Sequence, residues 1–237
     1  MNKILLIIPL NHSKLNEDVR FEINLFNLNK MHIEIVNLDN GPEYIENRFD
    51  ESRTYAELSK IVVNAENKGF DGIYIDCFLD SSVVMLRELV NIPIVGGFLP
   101  SITVALNLSS KFSIITALAS VVPIYNSAIR QNGVQDSLVS IRHVNMNICD
   151  MKDIQKLKEE LFHQGVQAVD EGAESIILGC TGMHGVSKYI EKSLLEKFNK
   201  YIPVVNPTAA GLSTLDSLIN LKLRHSQITY CKRKTAD

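Results

Sequence analysis

Short apolar runs recur along this chain, separated by stretches whose apolar residues return every three to four positions. Residues 4–8, 33–38, 92–95, 112–116, 140–145, 175–178 and 204–205, with the run just ahead of Cys77, read as strands. Between them, Leu15, Val19, Ile23 and Phe26 mark a helix over 14–29, and Tyr55, Leu58, Ile61, Val62 and Ala65 one over 52–67. Further helices are predicted over 81–90, from about 101, over 120–131, from an Asp150 cap to about 171, and over 186–199. Asn206-Pro207 is a cap and first-turn pair for a last helix carrying Leu212, Leu215, Ile219 and Leu223. Strands that alternate with helices make parallel sheets.

The order of landmarks occurs twice. Gly69-Phe-Asp-Gly-Ile-Tyr-Ile-Asp-Cys77 has a glycine, an acid two residues on, an apolar run, and a cysteine eight residues after the glycine. Gly172 to Cys180 repeats that layout, with Glu174 in place of Asp71. Ile92-Pro-Ile-Val is echoed by Ile202-Pro-Val-Val, and Lys3-Ile-Leu-Leu-Ile by Lys111-Phe-Ser-Ile-Ile. The expected fold class is therefore α/β: two similar lobes, each a parallel sheet flanked by helices, related by a pseudo-twofold with an active-site cleft between them. Residues 1–97 with 208–225 form one expected lobe and 98–207 the other, leaving a tail over 226–237 whose end, from Cys231, is expected to fray.

A cysteine at the carboxyl end of the same strand in each lobe lies where open α/β sheets bind ligands. A helix starting soon after Cys180 would turn its free N–H groups toward the thiol and favour a thiolate. Two thiols flanking one molecule suit racemisation by two bases. One thiolate takes the proton from a stereocentre, and the opposite thiol returns one to the other face. Backbone N–H groups after each cysteine would stabilise the carbanion at the neighbouring carbonyl oxygen.

Composition narrows the setting. The chain has 237 residues, 46% of them apolar, with a net charge of −3, so neither nucleic acid nor an acidic membrane is an expected partner. Met1-Asn-Lys leads straight into a strand rather than a signal peptide, and no run reaches membrane-spanning length. Four scattered cysteines form neither a disulfide scaffold nor a Cys-x-x-Cys site. The expected setting is the reducing cytoplasm, with a small-molecule substrate, no metal, and assembly into a homo-oligomer.

Across essentially its whole length the chain resembles the aspartate/glutamate/hydantoin racemase superfamily, and within it the hydantoin racemase branch. The resemblance rests on Asp-Cys-Phe-Leu-Asp at 76–80, Leu-Gly-Cys-Thr-Gly-Met at 178–183, Gly-Pro-Glu-Tyr-Ile-Glu at 41–46 and Lys-Phe-Ser-Ile-Ile-Thr at 111–116. It implies a cofactor-independent enzyme with Cys77 and Cys180 as the acid/base pair. Phe78 and Asp80 would shape one pocket wall, Thr181 and Gly182 would bind the substrate carbonyl or carboxylate, and Asn11 and Thr116 would supply further substrate contacts. Leu79 stands where branch members carry glycine. Leu10 precedes Asn11 where the branch has an Asn-Pro-Asn run, and Thr116-Ala117 replaces a threonine pair.

The expected substrate is a 5-substituted hydantoin, because Phe78-Leu79 offers apolar surface where amino-acid racemases of the superfamily carry side-chain donors for a carboxylate. An aspartate- or glutamate-type racemase, a decarboxylase or cis–trans isomerase of the same fold, and a two-lobed binding protein are the alternatives. His12 in the loop after the first strand and Glu46 and Asp50 in the 41–50 segment are secondary candidates for substrate contact. His184 is expected at the rim or the surface, Tyr74 in the core, and Cys149 and Cys231 outside the chemistry.

Overall fold

The computed structural model describes residues 1–232, Ser81 by its main chain alone. The chain divides into two compact units, residues 1–97 with 211–232 and residues 98–210. The expected tail over 226–237 lies partly outside the described residues. Of its described part, Tyr230 Oη accepts a 3.1 Å hydrogen bond from Arg87, and Lys232 Nζ reaches Glu66 at 3.3 Å.

The first unit is built on β1 (Lys3–Ile8), β2 (His32–Asn37), β3 (Gly72–Ile75) and β4 (Ile94–Val95), all parallel, in the order β2-β1-β3-β4. Helices α1 (Asn16–Leu25), α2 (Arg48–Ser52), α3 (Tyr55–Asn67) and α4 (Ser81–Leu86) lie on the connections. The second unit repeats the sheet with β5 (Phe112–Thr116), β6 (Leu138–His143), β7 (Ser175–Leu178) and β8 (Val204–Val205), in the order β6-β5-β7-β8. Its helices are α5 (Phe98–Leu108), α6 (Val122–Gln131), α7 (Ile154–Asp170) and α8 (Ser187–Phe198). The expected α/β class with two parallel sheets is what the chain forms. Strands β3, β5 and β7 are buried along their whole length and β1 beyond Lys3, which accounts for their apolar runs.

The repeated landmarks do the same work in each unit. Gly69 (φ +73°) and Gly172 (φ +105°) adopt the left-handed conformation that ends the preceding helix. The acid two residues on caps the sheet edge: Asp71 Oδ2 accepts from Lys3 N–H at 2.7 Å, and Glu174 Oε2 from Ser110 and Lys111 N–H at 2.8 and 3.1 Å. The Ile-Pro pairs return as carbonyls, Pro93 O to Ile73 N–H and Pro203 O to Ile176 N–H, both 2.9 Å.

Several boundaries differ from the pattern-based reading. The cap of α7 is Asp153, whose carboxylate accepts from Lys156 N–H, while Asp150 opens a separate short turn. Helix α5 begins at Phe98 rather than about 101, and α4 stops at Leu86, well short of 90. The 41–50 segment runs into α2, capped by Asn47, a helix the pattern does not predict. The last helix, α9 (Pro207–Asn220), is capped by Asn206 Oδ1 from Ala209 N–H as expected, but ends before Leu223, which is 54% exposed. Leu212 and Leu215 of α9 join the core of Ile4, Leu6, Ile8, Tyr74 and Val95. Gly211 is what lets this helix approach, since a Cβ there would stand 2.2 Å from the Tyr74 ring.

Candidate active site

In the first unit, β3 pairs with β1 through Ile75 opposite Ile7, and the chain continues straight into the cysteine turn. Asp76 N–H donates to Ile7 O at 2.8 Å, and Cys77 N–H bends back to Ile75 O at 2.8 Å. Gly97 N–H then holds Cys77 O at 3.1 Å. Cys77 is half-buried, whereas Phe78 and Leu79 are buried. Asp80, partly buried, packs so close to Gly96 that a Cβ at 96 would lie 2.2 Å from its Oδ1.

The second unit reproduces this arrangement. Ile115 stands opposite Leu178, Gly179 N–H donates to Ile115 O at 2.8 Å, and Cys180 follows, half-buried. Met183 N–H closes a turn on Cys180 O at 3.2 Å. The Cα of Gly182 lies close enough to the thiol that a Cβ there would touch Sγ at 3.5 Å. Thr116 is fully buried, with its hydroxyl 3.3 Å from both Gly179 O and Tyr125 Oη, and Tyr125 donates to Gly179 O at 2.6 Å. Two hydroxyls thus fix the carbonyl just ahead of Cys180.

The fold therefore groups Cys77, Phe78 and Asp80 at the carboxyl edge of one sheet, and Thr116, Cys180, Thr181 and Gly182 at the carboxyl edge of the other. Asn11 lies exposed beyond the end of β1, its N–H bonded to Pro42 O at 3.2 Å. His12 is tied to the same segment through Glu43 O at 3.0 Å, and Lys14 reaches the Glu43 carboxylate at 3.0 Å. Asp50 accepts from Glu46 N–H at 3.2 Å within the 41–50 segment.

Four features bear on these expectations or were not anticipated. The helix after Cys180, α8, begins at Ser187, within a residue of the expected 186. His184 is not on the surface but buried, at 8% exposure, and burial pushes its pKa down to about 4. Glu51 of α2 turns inward and accepts a hydrogen bond from Ser82 N–H in the first turn of α4. Burial raises its pKa, with the Asp80 charge adding to the rise, while the Ser82 bond and Arg48 act against it. No sequence signal distinguishes Glu51 from its acidic neighbours. Tyr125 was equally silent, being one apolar-face residue among several on α6.

Cys149 and Cys231 are exposed, and all four cysteines are free thiols. Among the described residues no cluster of three or more His, Cys, Asp or Glu side chains is placed to hold a metal, and no helix is long and apolar enough to cross a membrane.

The sequence pattern of the Asp/Glu/Hydantoin racemase family matches residues 27–215. The chain belongs to that family. It is 30% identical to the hydantoin racemase of Paenarthrobacter aurescens over 98% of both chains. Solved structures share the fold of this family member: an allantoin racemase from Klebsiella pneumoniae (TM-score 0.89, 22% identity, 100% of this chain and 96% of the other) and one from Pseudomonas fluorescens (TM-score 0.85, 24% identity, 99% and 98%).

Proposed function

We propose that this chain is a cofactor-independent racemase of 5-substituted hydantoins, with Cys77 and Cys180 as its acid/base pair. One observation carries the reading. The two cysteines occupy the same place in two copies of one sheet, two residues beyond the β3 or β7 residue that faces Ile7 or Ile115. Both thiols also pack against the core of their own unit, but that packing does not require a cysteine at the same register in both.

In the proposed reaction a thiolate takes the C5 proton, leaving a thiol and a planar carbanion whose charge spreads to the C4 oxygen. The opposite thiol protonates the other face and becomes the thiolate, so the protein ends with the same number of protons and the two cysteines exchanged in role. Asp80, Thr181 and Gly182 are proposed around the substrate, with Phe78 as apolar wall and Asn11 at the margin. Thr116 is assigned a positioning role through Gly179 O. The hydantoin assignment is supported by the similarity to the Paenarthrobacter enzyme and by the absence of a side-chain donor at Phe78-Leu79. Allantoin is itself a 5-substituted hydantoin and belongs in the same panel.

Proton NMR in deuterated water tests this. The wild-type protein should wash out the C5 proton of hydantoins and leave the α-proton of free aspartate and glutamate in place. Cys77→Ala and Cys180→Ala should each abolish racemisation while still exchanging the C5 proton of one enantiomer, a different one for each variant. Either variant racemising at the wild-type rate would refute the two-base assignment.

A further inference from the structure

We propose that His184 and Ser187 form a subsite that recognises a neutral amide edge, an N–H beside a C=O, on a ring substrate and discriminates against carboxylates. The inference rests on the cyclic-amide reading above and names the side chains that would enforce it.

The chain path sets the subsite close to the thiol. The turn from Cys180 to Met183 brings those two Cα atoms within about 7 Å, and His184 is the next residue. Gly185, left-handed at φ +68°, then redirects the chain into α8, whose first residue is Ser187. Met183 and Val186, beside them, are buried apolar side chains at 1% and 0% exposure.

His184 and Ser187 are buried just as deeply, at 8% and 1%, yet Nδ1 and Nε2 of the imidazole and Oγ of the serine have no hydrogen-bond partner among the described residues. Buried polar side-chain atoms are nearly always paired, because losing water without a replacement is costly. A purely structural role at these two places would be served better by residues like Met183 and Val186. The start of α8 adds further donors. Its cap position is Val186, which has no side-chain oxygen to accept the first N–H groups of this twelve-residue helix.

The chemistry of the unpaired atoms selects the ligand. Burial keeps the imidazole uncharged near neutrality, so one ring nitrogen donates and the other accepts. The serine hydroxyl does both. An amide edge presents the complementary pair, a donor N–H and an acceptor C=O. A carboxylate presents acceptors only and would set a lone pair against the accepting nitrogen of His184.

The test uses protein labelled with ¹⁵N at its histidine rings and unsubstituted hydantoin, which has no stereocentre to invert. Hydantoin titrated to saturation as judged by calorimetry is expected to shift both His184 ring nitrogens, assigned by the loss of their signals in His184→Phe, while aspartate at the same concentration should shift neither. In parallel, His184→Phe should raise KM for a 5-substituted hydantoin about tenfold with a smaller change in kcat, as expected for one lost hydrogen bond. Ser187→Ala should do the same more weakly. Hydantoin racemisation by the wild type, with His184 resonances unmoved at saturation or KM unchanged in His184→Phe, would overturn this inference alone. A wild-type protein that neither binds hydantoin nor exchanges the C5 proton of any hydantoin would overturn the cyclic-amide reading and the subsite with it.

Discussion

The two glycines flanking Cys180 are needed for opposite reasons. A Cβ at 179 would meet Ile114 Cγ2 at 2.7 Å and Ile115 O at 3.2 Å, contacts that the sheet cannot absorb without moving the strand end. Gly179→Ala should therefore cost about 1–3 kcal/mol of stability, as overpacking does, and disturb the carbonyl that Tyr125 and Thr116 hold. A Cβ at 182 meets nothing nearer than Sγ of Cys180 at 3.5 Å, an ordinary contact. Gly182→Ala should fold within about 0.5 kcal/mol of wild type and lose activity, because its methyl group stands on the proposed base. Thermal melts read alongside C5-proton exchange check both. A Gly182→Ala protein with unimpaired exchange would remove Gly182 from the proposed site. The cysteines themselves were legible because the sequence displays them twice in one context. His184 was not, since a lone histidine after a turn gives no sign of burial until the path through Gly185 is known.

At the scale of elements, the link between α2 and α4 is the feature that periodicity did not reveal. Helix α4 has Asp80 at its cap position, but that side chain makes no cap bond. Glu51, from a different helix, accepts the Ser82 N–H instead. Removing the acceptor in Glu51→Ala should cost about 1–2 kcal/mol and lower the melting temperature by about 2–8 °C. Glu51→Gln retains an accepting oxygen and removes both the buried charge and its repulsion from Asp80, so it should melt within about 2 °C of wild type. Equal losses in the two variants would mean that charge, not the Ser82 bond, is what matters there. The same locality explains the boundary errors. Asp150 and Asp153 are equally good caps by residue type, and only the turn between them decides which one α7 uses. Leu223 continues the helical spacing of α9, but Lys222 at φ +57° has already ended the helix.

For the molecule as a whole, the sequence announced its duplication because the repeated residues carry backbone duties: left-handed glycines, acids capping the first strand, and Ile-Pro carbonyls returned to the third. Acid stability was not announced, since it depends on which histidines the fold shields, and each unit contains one whose pKa is lowered. His184 in the second unit is held near pKa 4 by burial. His225 in the first is also near 4, through burial foremost and the neighbouring Arg87 charge, and its Nε2 accepts a 2.8 Å hydrogen bond from Ile94 N–H that protonation would break. Both values lie below the 6.5 of an unfolded histidine. Between about pH 4 and 6.5 the unfolded chain therefore binds more protons than the folded one, and stability falls as pH falls. Each histidine contributes a slope approaching 1.4 kcal/mol per pH unit at most, and His225, being more exposed, contributes less. Glu51 opposes the trend, because its raised pKa favours the folded state as the carboxyl takes up a proton, but it is one group against two. The melting temperature should thus be level from pH 8 to 7 and drop steadily below 6.5. His184→Phe and His225→Leu should each flatten part of that drop. A wild-type melting temperature unchanged down to pH 4.5 would mean that neither histidine is kept neutral by the fold.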